Sequence, residues 1–130
     1  MASIFSKIIN GEIPCYKIAE NDQFLAFLDV FPLVKGHVLV VPKQEIDYIF
    51  DLPDTLLADL FIFAKSIAPA IEKAVRCKRI GVTVIGLEVP HAHVHLVPMN
   101  TANDVNFTQP KIKVEAAEME AIANRIKANL

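Results

Sequence analysis

The sequence lacks the features that mark several large classes of protein. Its 130 residues include only two cysteines and four glycines, and they include no tryptophan. Cys15 and Cys77 form no CxxC pair, which favours reduced thiols in a cytoplasmic protein over a disulfide framework. The small number of glycines excludes collagen-like and low-complexity chains. No apolar run approaches the ~18 residues of a membrane-spanning helix, so we expect no membrane as a partner.

An excess of positive charge is also absent. Thirteen Lys and Arg residues oppose fifteen Asp and Glu residues, which gives a formal net charge of −2 at pH 7. This balance argues against nucleic acid or an anionic membrane as a binding partner. The N-terminal stretch has Lys7 inside a short mixed segment and lacks a basic start followed by an apolar block. We therefore expect no signal peptide and a cytoplasmic location.

What the chain does contain is a large apolar fraction. Hydrophobic residues make up 53% and charged residues 22% of the sequence, which is typical of a globular protein. The length suits a single domain spanning residues 1–130. Apolar spacing and turn residues predict three helices and five strands. The predicted helices span 3–10, 52–76 and 115–130, and the predicted strands span 16–20, 23–30, 37–41, 80–85 and 91–97.

The order of these elements predicts an α+β fold. One long helix is inserted between the third and fourth strands, and a final helix ends the chain. Five strands that are otherwise joined by hairpins favour a mostly antiparallel sheet with helices on one face. Within the long helix, Pro69 has no amide hydrogen and crowds the carbonyl four residues earlier. We therefore expect that helix to kink or split near Lys65.

Three of the four histidines occupy alternate positions, namely His91, His93 and His95. Because side chains alternate between the two faces of a strand, we expect these three rings to project from one face. The residues between them, Ala92 and Val94, would then point into the apolar core. Such clustering is unusual for a solvated strand and predicts a functional site.

The residues alone leave three interpretations of this cluster open. In the first, the rings are satisfied or solvated structural histidines. In the second, they bind a metal, although bonds of about 2.1 Å rarely gather three histidines along one extended strand, and a fourth ligand from His37 or Glu88 would be required. In the third, they act without metal, because a neutral imidazole can attack phosphorus while neighbouring rings donate hydrogen bonds to phosphate oxygens.

The segment 90–98, PHAHVHLVP, resembles the histidine-triad signature of the HIT superfamily, in which three histidines alternate with apolar residues. The likeness covers most of the chain and extends to the segments 4–9, 12–14, 25–30, 36–43 and 50–52. It implies a HIT-like fold. It also implies a homodimer, joined edge to edge through the sheets or through the long helix, whose apolar face is wider than one core contact needs.

The resemblance further implies a nucleotide hydrolase or nucleotidyl transferase of bacterial type. The expected substrate is a purine nucleoside phosphoramidate or a dinucleoside polyphosphate, cleaved at its α-phosphate. His93 would attack phosphorus and form a nucleotidyl-histidine. His95 would contact phosphate oxygens and help the leaving group, and His91 would orient and polarise the site. No cofactor and no metal would be required.

A nucleoside subsite follows from the same resemblance. Asp29 would accept hydrogen bonds from the ribose hydroxyls, a role that suits an acceptor-only carboxylate. The apolar slot for the base would be formed by Ile4, Phe5, Phe27 and Val30. Without the resemblance, these four residues would be interpreted as core, and Asp29 as a turn residue at a strand end.

The chain departs from the family pattern at two places. Glu45 stands where many phosphoramidate-cleaving members have a fourth histidine, and Leu87-Glu88 stands where the family often has Gln followed by Ser or Thr. We hypothesise that Glu88 faces a triad histidine and holds its proton. His37, which matches a Gly-His pair before the central strand, is expected to be structural and to bond backbone.

Two alternatives to a metal-free hydrolase stay open. One is a nucleotide-binding regulatory module with negligible turnover, which would bind nucleotides without cleaving them. The other is a metal-dependent hydrolase, which would lose activity in the presence of a chelator.

Overall fold

The computed structural model describes residues 2–130. The elements in chain order are α1 (Ile4–Ile9), β1 (Lys17–Glu20), β2 (Phe24–Leu28), β3 (Val38–Pro42), α2 (Asp54–Ala74), β4 (Arg79–Thr83), β5 (Val94–Met99) and α3 (Ala116–Ala128), with 3-10 turns at Ile49–Asp51 and Ala102–Val105. Among these residues, no helix combines the length and the apolar character that crossing a bilayer requires.

The five strands form one antiparallel sheet in the order β1-β2-β3-β5-β4. Strand β5 pairs with both β3 and β4, so it lies inside the sheet, and β4 forms an outer edge. The predicted α+β class, the long helix between the third and fourth strands and the C-terminal helix are confirmed.

The main core fills the space between one face of the sheet and the two long helices. Its most completely buried members include Phe24, Leu28, Leu60, Ile67, Ile71, Leu96, Ile122 and Ile126. A smaller cluster lies on the opposite face, where Phe5 from α1 packs with Leu25, Phe27, Leu39 and Val41. The prediction that all helices share one face is therefore wrong for α1, because its buried residue packs on the other side.

Two predictions about individual elements need correction. Helix α2 runs unbroken from Asp54 to Ala74 with Pro69 inside it, so of the kink or split expected near Lys65 the split does not occur. Ile67 and Ile71, on either side of the proline, are buried in the core, and their burial offsets one missing backbone hydrogen bond. The last strand begins at Val94 rather than at residue 91, so His91 and His93 lie in the segment that leads into it.

The turn into β3 depends on a glycine. Gly36 has φ +88°, and a Cβ atom there would lie 2.7 Å from Cγ2 of Val75, at the end of α2. No other residue fits both the backbone conformation and the space. The turn places His37, which is 1% exposed, within hydrogen-bond distance of His95 on β5.

Candidate active site

The three triad rings meet on the sheet face that carries the smaller apolar cluster. His91, His93 and His95 are all buried. The rings of His93 and His95 have centroids 4.8 Å apart, and Phe5 stands edge-on to His93 at 4.9 Å. Ala92 belongs to the main core on the opposite side and donates its N–H to the carbonyl of Ile46. Alternation thus continues through the segment that precedes β5.

The position of the proton on His93 follows from its partner. Nδ1 of His93 lies 2.7 Å from the carbonyl oxygen of His91. Because a carbonyl can only accept, Nδ1 carries the hydrogen and Nε2 carries the lone pair. Burial lowers the pKa of His93, so the ring is neutral at pH 7. His93 therefore presents an unprotonated nitrogen that can act as a nucleophile.

His95 has the opposite arrangement, which His37 imposes. The N–H of Leu33 donates to Nδ1 of His37 at 3.1 Å, so Nε2 of the neutral His37 ring carries the hydrogen. That hydrogen points to Nδ1 of His95 at 2.9 Å, which leaves Nε2 of His95 as a donor. Burial lowers the pKa values of His37 and His95 to about 3. The backbone bond expected for His37 is present, and His37 also fixes the proton of a triad ring.

His91 is tied to the start of α1. Its Nε2 donates to the carbonyl of Pro42 at 2.7 Å, and its Nδ1 accepts from the hydroxyl of Ser3 at 2.8 Å. Oγ of Ser3 also caps α1 by accepting from the N–H of Ser6. Glu45 accepts from Ser3 N–H and Ser6 Oγ, both at 2.6 Å, and these bonds lower its pKa to about 2, the Ser6 hydroxyl contributing most. Glu45, one of the two departures from the family pattern, therefore holds α1 beside His91.

Asp29 lies directly after β2, near the His37–His95 pair. Its Oδ1 accepts from the N–H of Phe31 at 2.9 Å, and its Oδ2 lies 3.7 Å from Nε2 of His37. Burial raises the pKa of Asp29. Ligand atoms of Asp29, His37 and His95 all lie within 4.8 Å of one another, so these three side chains could hold a metal ion. However, Nε2 of His37 and Nδ1 of His95 are 2.9 Å apart, which is the length of a hydrogen bond. A bound ion would have to replace that hydrogen bond.

The structure divides the four residues expected in the base slot into two pairs. Phe5 and Phe27 are buried and pack edge-to-face at 5.7 Å, next to the triad. Ile4 and Val30 are about half exposed. The two phenylalanines therefore lie at the bottom of the expected base slot. Ile4 and Val30 are surface residues to which a ligand has access.

The hydrogen bond expected from Glu88 to a triad histidine is absent. Glu88 is exposed, and within residues 2–130 it forms no hydrogen bond or ion pair. The protons it was expected to hold are placed by backbone carbonyls and by His37. Glu88 acts only through its charge, which opposes the effect of burial on the pKa of His93.

A cavity of about 220 Å³ opens beside His93. It lies between two loops, residues 47–50 and 84–86, and Tyr48 and Phe50 meet edge-to-face at 5.4 Å in one of them. A larger groove of about 390 Å³ adjoins it, lined by Phe50, Leu57 and Phe61 among others, but contains no histidine. Sequence reasoning missed the cavity because its walls come from two loops with no shared motif.

Sequence reasoning also missed Phe107, which covers His95, and Lys111, which lies over Phe107. Phe107 stands edge-on to His95 with ring centroids 4.7 Å apart, and Lys111 places Nζ 4.9 Å from the centre of the Phe107 ring. The one signal in the sequence was a single aromatic residue within the polar stretch 100–110. An aromatic residue in a polar loop usually packs against something.

Comparisons with known proteins find relatives in both sequence and fold. A family model described as the HIT domain matches residues 10–102. Adenosine 5'-monophosphoramidase hnt1 of Schizosaccharomyces pombe is 32% identical over 132 residues, covering 100% of this chain and 99% of the relative. A crystal structure of a Hit-like protein involved in cell-cycle regulation from Bartonella henselae superposes with TM-score 0.86 at 29% identity, covering 98% of this chain and 96% of that one.

A second similar structure is described as containing zinc. The zinc-bound histidine triad family protein from Mycobacterium smegmatis superposes with TM-score 0.84 and covers 99% of this chain and 93% of that one. Its sequence identity is 24%, so this likeness shows the fold alone.

Proposed function

The chain belongs to the HIT domain family, and from that premise we propose that it is a nucleotide hydrolase acting at an α-phosphate. The observation that carries the proposal is the pairing of the unprotonated Nε2 of His93 with the Nε2–H donor of His95. The name of the Schizosaccharomyces pombe relative favours a purine nucleoside phosphoramidate as the first substrate to test. A dinucleoside polyphosphate is the second.

In the proposed reaction, the lone pair on Nε2 of His93 attacks the α-phosphorus, and the bond to the leaving group breaks. The product is a nucleotidyl-histidine, which water then cleaves to free nucleotide and the original ring. His95 donates its Nε2–H to a phosphate oxygen that gains charge in the transition state. His91 orients His93, because its carbonyl holds the Nδ1 hydrogen of His93.

Asp29 and the two phenylalanines are the proposed nucleoside contacts. One oxygen of Asp29 accepts from the N–H of Phe31. Among residues 2–130, the other oxygen has no hydrogen bond, and it lies 3.7 Å from Nε2 of His37. That second oxygen is available to accept from a ribose hydroxyl. We propose that the base rests over Phe5 and Phe27, with Ile4 and Val30 at the rim.

The test is turnover. Wild type and His93→Ala would be incubated with adenosine and guanosine phosphoramidates and with dinucleoside polyphosphates, and released mononucleotide would be measured. We expect turnover by wild type and at least a thousandfold loss in His93→Ala, because the nucleophile is removed. Binding without cleavage of any of these substrates by wild type would instead support a regulatory module.

Metal dependence is the alternative that the cluster of Asp29, His37 and His95 keeps open. Activity that survives a chelator and is not raised by added zinc agrees with a metal-free reaction. Activity that disappears with the chelator and returns with zinc would contradict it.

We also propose that the protein is a cytoplasmic homodimer. Cys15 and Cys77 are both free thiols, which suits a reducing compartment. The outer edge of β4 has no strand partner within residues 2–130, and Val82 on that strand is 56% exposed. An uncovered apolar edge of this kind suits pairing with a second copy.

A further inference from the structure

The proposed site would hold an excess of negative charge that its histidines do not neutralise. A nucleotide brings a negative phosphate, and Asp29 and Glu88 bring negative side chains to the same region. Burial lowers the pKa values of all four histidines, so the rings that would meet the phosphate are neutral. Neutral donors bind an anion less strongly than a cation does. A positive group nearby would complete the site.

One cation lies close enough to supply that charge. Nζ of Lys111 lies over the ring of Phe107, and Phe107 in turn packs against His95. Among the described lysines and arginines, Lys111 is the one whose charge acts on Asp29, His37 and His95. Within residues 2–130 it forms no ion pair, so its charge is not already neutralised by a carboxylate at contact distance.

The backbone around Lys111 holds it at this place. Pro110 restricts the chain immediately before it, and the N–H of Ile112 immediately after it donates to the carbonyl of Pro32 at 2.9 Å. Pro32 belongs to the loop that follows Asp29. The lysine is therefore attached to the loop that carries the proposed ribose contact, while its head group rests on the ring that covers His95.

We propose that Lys111 is a phosphate-binding residue, which contacts the non-bridging oxygens of the nucleotide phosphate from its position on Phe107. This inference rests on the proposed function, because it assumes a nucleotide beside His93 and His95. Phe107 supports the lysine by a cation–π contact and keeps the long side chain over the site. The phosphate carries its charge before and during the reaction, so the contact contributes to binding as well as to turnover.

The test compares a ligand that has the phosphate with one that lacks it. Binding of AMP and of adenosine would be measured by calorimetry on wild type, Lys111→Gln, Lys111→Arg and Lys113→Gln. Lys113 is the matched control, because it is an exposed lysine of the same segment with no ion pair among the described residues. Thermal unfolding of each variant checks that the fold is retained.

We expect Lys111→Gln to weaken AMP binding by about tenfold, the loss of one charge-assisted contact, and to leave adenosine binding unchanged within about twofold. Lys111→Arg and Lys113→Gln should bind AMP like wild type. Raising the salt concentration should weaken AMP binding to wild type more than to Lys111→Gln.

Two results would contradict the inference while leaving the proposed function standing. One is equal AMP affinity of Lys111→Gln and wild type. The other is an equal loss for AMP and adenosine, which would mean that Lys111 acts on Asp29 or on the fold rather than on phosphate. A wild-type protein that binds neither ligand would contradict the proposed function itself.

Discussion

Backbone groups set the proton positions of the four histidines, either directly or, for His95, through His37. The N–H of Leu33 fixes His37, His37 fixes His95, and the carbonyl of His91 fixes His93. The spacing of the triad predicts that the rings come together, but it does not predict which nitrogen carries each hydrogen. That depends on partners from distant parts of the chain, which only the folded structure identifies.

Buried neutral histidines make the stability depend on pH. The pKa values of His37 and His95 are about 3 in the folded protein, against about 6.5 in an unfolded chain. Below pH 6.5 the unfolded chain therefore takes up protons that the folded chain does not. We expect the free energy of unfolding to fall as the pH drops from about 6.5 towards 3, by about 1.4 kcal/mol per pH unit for each such histidine.

Urea unfolding between pH 4.5 and 7.5 measures this dependence. In His95→Asn one of these histidines is removed, while an amide oxygen remains to accept from His37. We expect the free energy of unfolding of this variant to change less steeply with pH, by the slope that corresponds to about one proton fewer taken up on unfolding. An identical slope in the two proteins would mean that His95 is not held neutral in the folded state.

The short helix α1 links the fold to the site in a way that its sequence pattern did not reveal. Its apolar spacing predicts a helix over residues 3–10, and the observed Ile4–Ile9 confirms it. The cap residue Ser3, however, serves two partners, since its hydroxyl accepts from Ser6 and donates to His91. Glu45, 42 residues away from Ser3, accepts a hydrogen bond from the Ser3 N–H. No local sequence pattern predicts a contact between residues so far apart in the chain.

Removing the Ser3 hydroxyl tests this link. Ser3→Ala loses the cap of α1 and leaves Nδ1 of the buried His91 ring with only the Ser6 hydroxyl at 3.5 Å, which already donates to Glu45. We therefore expect a loss of about 1 to 3 kcal/mol in the free energy of unfolding. We also expect a lower kcat. Ser3→Thr keeps the hydroxyl and is the control. Equal stability and activity of the alanine variant and wild type would show that the bond to His91 is unimportant.

Strand β5 illustrates why element boundaries were less predictable than the site. Alternating histidines and apolar residues predict a strand from residue 91, but the sheet pairing begins at Val94. Each histidine still has the predicted side, because Ala92 packs in the core and anchors the segment through the carbonyl of Ile46. The hydrophobic pattern determines which side is buried. Pairing with β3 stops at Val94 although β3 extends to Pro42, because the N–H of Ala92 bonds the carbonyl of Ile46 instead of β3.

Strand β4 forms one of the two sheet edges and pairs with no strand other than β5 within residues 2–130. Val82 lies opposite Leu96 in the register, so it is on the face that α2 covers, yet more than half of it is exposed. Strand β4 carries no proline and, after Arg79, no charge that would block pairing with another strand. The apolar groove lined by Phe61 and Val84 adjoins this edge. The sequence predicted a wide apolar face on α2 but not which edge would adjoin it.

A charge on that edge tests the dimer. We expect light scattering coupled to size exclusion to give wild type twice the mass of the chain, and Val82→Lys the mass of one chain, because a lysine on the edge opposes strand pairing. Leu130→Glu changes another exposed apolar residue, at the C-terminus, and should remain a dimer. A wild-type monomer, or a dimeric Val82→Lys variant, would contradict this assignment of the interface.

The proposed reaction depends on a covalent bond between Nε2 of His93 and phosphorus. The most direct measurement mixes the protein with an adenosine phosphoramidate and stops the reaction rapidly without acid. The intact mass of the protein is then measured, and the modified residue is located by peptide mapping. We predict a mass increase of one adenylyl group on His93 in wild type, and no adduct in His93→Ala. Product formation without any adduct on His93 in wild type, or an adduct that persists in His93→Ala, would contradict it.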